Sequence, residues 1–117
     1  MSLNIDIAPT ILALGKVESP QSELFHGRNL MTRQHMPRQH WFYEHLYQNP
    51  EVNIPINIGI RSLQYKYLHF PEHNYEMLFD LQQDPQENIN LAQNDNYQAK
   101  IREYRQLVQQ SSSDLAV

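Results

Sequence analysis

At 117 residues the chain is long enough for one domain of ordinary size and too short for two. A formal net charge of -4, with every Lys and Arg isolated from the next, excludes the basic footprint that phosphate backbones require, so nucleic acid is not an expected partner. No segment approaches the ~20 consecutive apolar residues of a membrane span, and the absence of cysteine excludes disulfides, thiolate zinc sites and cysteine nucleophiles while leaving the compartment open.

The N-terminal Met1–Ser2–Leu3–Asn4 has neither the basic nor the apolar region of a signal peptide, and the chain reads as soluble. A mean hydropathy of -0.67 predicts a thin core, part of it borrowed from elsewhere. Asn4 to Gly15 reads as a helix, with Asp6 as its cap, Pro9 in the first turn and Gly15 at its end. Its apolar residues Ile5, Ile7, Ile11, Leu12, Ala13 and Leu14 wrap most of the way round, which predicts burial on several sides. From Lys16 to His40 no period is sustained, and Pro20, Gly27 and Pro37 act as breakers, so this stretch reads as a connector.

From Trp41 onward the pattern becomes strand-like. Trp41 to Tyr47, Asn57 to Ser62, Gln64 to Phe70 and Tyr75 to Leu81 are rich in aromatic and branched residues and are separated by turn-prone clusters. The gap after Arg61–Ser62 is of hairpin length, and Pro71–Glu72–His73–Asn74 supplies a second turn. Asp84–Pro85–Gln86–Glu87 has the form of a helix start and predicts a short helical turn to Ala92. A second start at Asn94 or Asp95 leads into Tyr97, Ile101, Tyr104 and Val108, with Leu107 alongside, one apolar stripe that should lie on the sheet. The tail from Ser111 to Val117 is small and polar enough to fray. The predicted class is α+β: a small four-stranded antiparallel sheet with a C-terminal helix on one face over residues 41–117, preceded by an N-terminal helix and irregular connector over residues 1–40.

Candidate chemistry is sparse. His35, His40 and His45 recur every five residues, an interval that puts neighbours on different faces of a helix or a strand, so no metal site is expected. Glu44 and His45, with Glu51 nearby, form a weak acid/base set, because adjacent strand residues point to opposite faces. A small hydrolase built on Glu44 and the histidines is therefore disfavoured. No nucleophile elbow, phosphate loop or H-E-x-x-H motif is present.

As a string, however, the chain resembles the C-terminal region of the sulfatase family over nearly its whole length. Asn4–Ile5–Asp6–Ile7–Ala8–Pro9–Thr10–Ile11–Leu12 is similar to the family's aspartate–x–x–proline–threonine helix start. Leu24–Phe25–His26–Gly27–Arg28–Asn29–Leu30 is similar to its glycine–arginine–serine–leucine connector, with Asn29 in the serine place. Phe42–Tyr43–Glu44–His45–Leu46 and Gly59–Ile60–Arg61–Ser62–Leu63–Gln64–Tyr65–Lys66–Tyr67 resemble its tyrosine–glutamate–histidine strand and its following hairpin. Glu76 to Glu87, with Asn88–Ile89–Asn90–Leu91–Ala92, resembles the closing run. Four segments in the right order and spacing make the resemblance specific.

The resemblance implies a four-stranded sheet with a long helix packed on it, and residues 1–40 as a remnant of the large catalytic domain. That domain is the implied partner. The family uses a formylglycine, made from a Cys or Ser in a Cys/Ser–x–Pro–x–Arg motif, and a calcium ion held well upstream. This chain has no Cys, and Ser19 and Ser22 lack a proline two residues on, so it is expected to carry no catalytic residue, metal ligand or cofactor and to be inactive alone. His45 and Arg61 are the residues the resemblance offers for contact with an anionic substrate at the cleft rim, against an alternative in which Arg61 pairs with a carboxylate across the sheet. A second functional reading is a self-associating module, dimerising through residues 4–15. The family is often periplasmic, secreted or lysosomal, and the sequence does not choose among these.

Overall fold

A computed structural model describes residues 1–18, 25–32, 38–47, 51 and 53–115. The breakers Pro20 and Pro37, together with Ser19, Ser22, Leu24 and His35, lie outside the described residues. The chain folds as two compact units, Met1–Arg38 and Gln39–Val117.

In the first unit a 3-10 turn over Asn4–Asp6 runs into α1, Ile7–Leu14. Asp6 stands at the N-cap, yet its carboxylate makes no cap hydrogen bond to α1. It accepts instead from the Leu3 N–H (2.7 Å), the Arg28 N–H (2.8 Å) and both terminal nitrogens of Arg38 (2.8 and 2.9 Å). Thr10 donates its hydroxyl to the Asp6 carbonyl and accepts from the Leu30 N–H, so the helix holds the connector through two motif residues. Gly27 is needed there, because a Cβ would come within 1.9 Å of the Ile5 carbonyl oxygen. The helix closes at Gly15, whose N–H donates to the Ile11 carbonyl, but it is Lys16 that takes the left-handed conformation. The expected burial on several sides is corrected: α1 has no buried residue, and Ile7, Ile11 and Leu14 are 55%, 62% and 63% exposed.

The second unit is the predicted sheet and helix. β1 (His40–His45), β2 (Asn57–Ser62), β3 (Tyr65–Phe70) and β4 (Tyr75–Asp80) pair antiparallel in chain order. β1 starts one residue earlier than expected and stops at His45, leaving Leu46 and Tyr47 exposed. The β2–β3 hairpin has no glycine. Ser62 Oγ replaces one by accepting from the Gln64 and Tyr65 N–H groups, a local side-chain turn. After β3, a 3-10 turn over Pro71–His73 is closed by Asn74 in the left-handed region, which asparagine tolerates.

Register places Ile60, Tyr67 and Leu78 in one row, and α2 (Gln98–Leu115) lays Ile101, Tyr104 and Val108 on it. Side chains alternate along each strand, so Phe42, Ile60, Tyr65 and Tyr67 face α2, while Trp41, Tyr43, His45, Arg61 and Lys66 face the other way. Gly59 lies under the Tyr43 ring, and a Cβ there would meet the ring at 2.8 Å and the Tyr67 carbonyl at 2.7 Å. The N-terminus of α2 is prepared by Asn94, which accepts from the Asn96 N–H ahead of a 3-10 turn over Asp95–Tyr97.

Two expectations fail in this unit. No helix follows Asp84: its carboxylate accepts from the Ile89 N–H at 2.8 Å, and Glu87 adopts a φ of 57°, which no helix accommodates. The chain there turns and then runs along the edge of β4, with the Leu91 N–H donating to the Leu78 carbonyl and Asn90 bonding to the Leu78 N–H and the Glu76 carbonyl. The predicted fraying from Ser111 is also corrected, since α2 continues through Leu115.

Candidate functional site

The sheet face opposite α2 carries His45 and Arg61, the two residues offered for substrate contact. Arg61 stands opposite Trp41 on β1 and Lys66 on β3. Two cations directly across a ladder repel, and Lys66 is relieved by an ion pair with Glu87 at 2.5 Å. Arg61 has no carboxylate or other hydrogen-bond partner among the described residues, so the cross-sheet pairing considered for it is absent there. Beside it, Trp41 and Tyr43 form a tilted aromatic pair with centroids 5.3 Å apart. Burial, and then the nearby Glu87 carboxylate, push the Tyr43 hydroxyl up to about 12, so it stays protonated and able to donate.

His45 ends β1 opposite Asn57, on the same face as Arg61 but four residues along the strand, about 13 Å away by strand rise. Its Nε2 is buried without a partner among the described residues. The face therefore carries both residues without making them one cluster. Glu44, on the α2 side, is exposed and turned away from His45. His40 likewise lies on the opposite face from His45, and among the described residues no three His, Asp or Glu side chains come together.

Sequence reasoning missed a second polar cluster, on the α2 side. Glu76 accepts from Arg105 Nε at 2.7 Å and from its Nη2 at 2.5 Å, and it takes a short hydrogen bond from the Tyr67 hydroxyl. Arg105, chiefly by those hydrogen bonds, holds the Glu76 carboxyl below the usual carboxylate range against an opposing effect of burial. Burial and Glu76 push the Tyr67 hydroxyl far up. Glu76 and Arg105 are separated by 29 positions, and no local pattern links them.

Among the described residues the carboxylates do not gather as a calcium site would require. Asp6 is committed to Arg38, Glu76 to Arg105 and Glu87 to Lys66, while Asp80 and Asp84 accept from backbone N–H groups. Each of these five carboxylates accepts a hydrogen bond, and among the described residues none converges with two other His, Asp or Glu side chains.

A four-stranded antiparallel sheet carrying one long helix, preceded by a helix-and-connector unit, is the fold of the C-terminal region of sulfatases. The family described as N-sulphoglucosamine sulphohydrolase, C-terminal, matches residues 1–114, and the chain belongs to it. A curated N-acetylglucosamine-6-O-sulfatase from Bacteroides thetaiotaomicron is 29% identical over 119 residues, which cover 95% of this chain and 21% of that protein. A Delta 4,5-hexuronate-2-O-sulfatase from the same organism is 41% identical over 49 residues, 42% of this chain and 10% of that protein. The solved structure of a 2-O GAG sulfatase superposes with a TM-score of 0.79 at 26% identity, over 93% of this chain and 24% of the other. The chain spans about a fifth of the length of the first of these relatives.

Proposed function

We propose that this chain is the non-catalytic C-terminal subdomain of a hydrolase acting on sulfate esters of sugars, and that the sheet face opposite α2 contributes Arg61 and His45 to the rim of the substrate cleft. The observation that carries the reading is the state of Arg61. Lys66, Lys100 and Arg105 in the same unit each hold a carboxylate within 2.7 Å, whereas half-buried Arg61 holds none among the described residues. A cation drawn partly out of water without a counter-charge is unfavourable until an anion meets it, and the planar guanidinium fork matches the oxygens of a sulfate group. The names of the two curated relatives, both sulfatases, support the same substrate class.

On this reading the nucleophile and the divalent cation belong to a part of the enzyme outside this chain; the sequence holds no Cys/Ser–x–Pro–x–Arg motif, and among the described residues no three His, Asp or Glu side chains come together. The exposed apolar side chains of α1 are the surface on which that catalytic domain packs. Sedimentation of the chain separates this from self-association: a monomer is expected, and a dimer that dissociates on deleting residues 1–15 would put an assembly module in its place.

Titrating a sulfated disaccharide into the chain tests the rim. Nε of Arg61 and the imidazole of His45 should shift, and Arg61→Ala should abolish the shift without changing Tm. An undisturbed Arg61 signal, or turnover of an aryl sulfate by the chain with calcium added, would overturn the proposal. An in-frame Cys/Ser–x–Pro–x–Arg upstream of Met1 is the matching genetic expectation.

A further inference from the structure

On the α2 side, where no residue of the proposed rim points, an open cleft of about 670 Å3 lies between β2–β4 and the C-terminal half of α2. That volume falls in the ~300–1,000 Å3 range of small-molecule sites. Ile58 and Val108 supply apolar surface within it, and the Tyr67–Glu76–Arg105 network forms its polar wall. At the mouth stand the amides of Asn74 and Gln109 and the hydroxyls of Ser112 and Ser113.

We propose that this cleft binds a neutral pyranose, as a single ring or part of a short uncharged oligosaccharide. Its net charge decides first. The two oppositely charged side chains of the wall are joined to each other and sum to zero, so a charged ligand of either sign would lose water there without gaining an uncompensated counter-charge. A fully apolar ligand fares no better, because covering amides and hydroxyls without giving them a partner forfeits their hydrogen bonds to water. A sugar ring presents C–H faces to Ile58 and Val108 and vicinal hydroxyls to the amides and serines.

The wall is also set in advance. Three donor contacts fix the Glu76 carboxylate, and Nε and Nη2 of Arg105 are consumed in doing so, which leaves Nη1 as an oriented donor on a side chain that is half exposed. His69, which also lines the cleft, adds an imidazole able to donate or accept. Groups held by their own partners need no reordering on binding, and that lowers the entropic cost.

The test is nuclear magnetic resonance titration of the 117-residue chain with cellotetraose, maltotetraose and chitotetraose, and separately with sodium sulfate. At least one neutral tetrasaccharide should produce saturable shifts at Asn74, Gln109 and Arg105 Nε with millimolar affinity, and sodium sulfate should not. Ser112→Trp, at an exposed position on the mouth, should weaken binding about tenfold or more at unchanged Tm. Arg105→Ala should abolish it, with the Tm of that variant measured alongside. Arg61→Ala should leave the titration intact, which keeps this site distinct from the rim. Absence of shifts with all three sugars, their persistence in Ser112→Trp, or the same shifts with sulfate would overturn the proposal.

Discussion

Asp6→Asn keeps the shape of a side chain that is completely buried and removes the charge on which the Met1–Arg38 unit closes. Four donors converge on the native carboxylate: the N–H groups of Leu3 and Arg28, and Nη1 and Nη2 of Arg38. An amide offers a single acceptor oxygen and turns its own two donors against the rest. Arg38, with 10% of its side chain exposed, loses its counter-charge. Breaking one partner out of a buried ion pair costs about 3–5 kcal/mol. A unit this small has little reserve, since chains below ~40 residues seldom fold without added support.

Hydrogen exchange should therefore lose protection at the amides of Gly15, Val17, Arg28 and Leu30, while those of β2 and β3 keep theirs. The pH dependence has a definite sign. Arg38 first, and then the Arg28 and Leu3 N–H groups, hold the Asp6 carboxyl far below the usual carboxylate range against the opposing effect of burial. Its folded pKa lies below its unfolded value of ~3.9, so the stabilisation is complete above that value and is lost as pH falls through the folded pKa. Carbon-detected titration of the Asp6 carboxyl checks this. A midpoint near that of a free carboxylate, or native protection in Asp6→Asn, refutes the reasoning.

Ile101→Asp places a charge on the α2 stripe at a side chain 1% exposed; a loss of more than about 4 kcal/mol is expected, read as collapse of the urea midpoint, and an unchanged midpoint would remove the stripe from the core. Asn90→Ala strips acceptors from the Leu78 and Ala92 N–H groups and a donor from the Glu76 carbonyl; it should cost about 1–3 kcal/mol. Asn90→Asp, which keeps the acceptor half, should fall between it and the native protein. An aspartate variant less stable than the alanine one would show that the acceptor half is not what matters.

The sheet was legible because its signals are local. Enrichment in aromatic and branched residues, with turn-prone clusters between the runs, placed all four strands to within a residue or two, and the 4-3-4 spacing of Tyr97, Ile101, Tyr104 and Val108 located the face of α2. Asp84–Pro85 misled because a capping aspartate serves a turn as readily as a helix; what decides is Glu87 in the left-handed region, bonded through its side chain to Lys66. Burial of α1 was misjudged for another reason. Its composition is that of a buried helix, but composition does not say whether the covering surface lies in the same chain. The Glu76–Arg105 cluster was invisible because sequence does not announce which faces of β4 and α2 meet.

What the family motifs do in this chain bears on where function resides. Asp6, Thr10 and Gly27 lock the connector onto α1; Asp80 and Asp84 accept from turn N–H groups; Asn90 seals the edge of β4; Glu87 holds Lys66. Each of these polar residues has a local partner that accounts for it, and the resemblance in these places is a record of how the backbone is satisfied. Arg61 and the buried nitrogen of His45 are different: both fall within the matching segments, and neither has a partner among the described residues. A guanidinium and an imidazole nitrogen left unsatisfied on one sheet face are costly to folding taken alone. That cost would be offset if satisfying groups arrive from outside the chain, as the proposed rim requires, and it is why the sheet face, and not the better-bonded motifs, is the place to test that proposal.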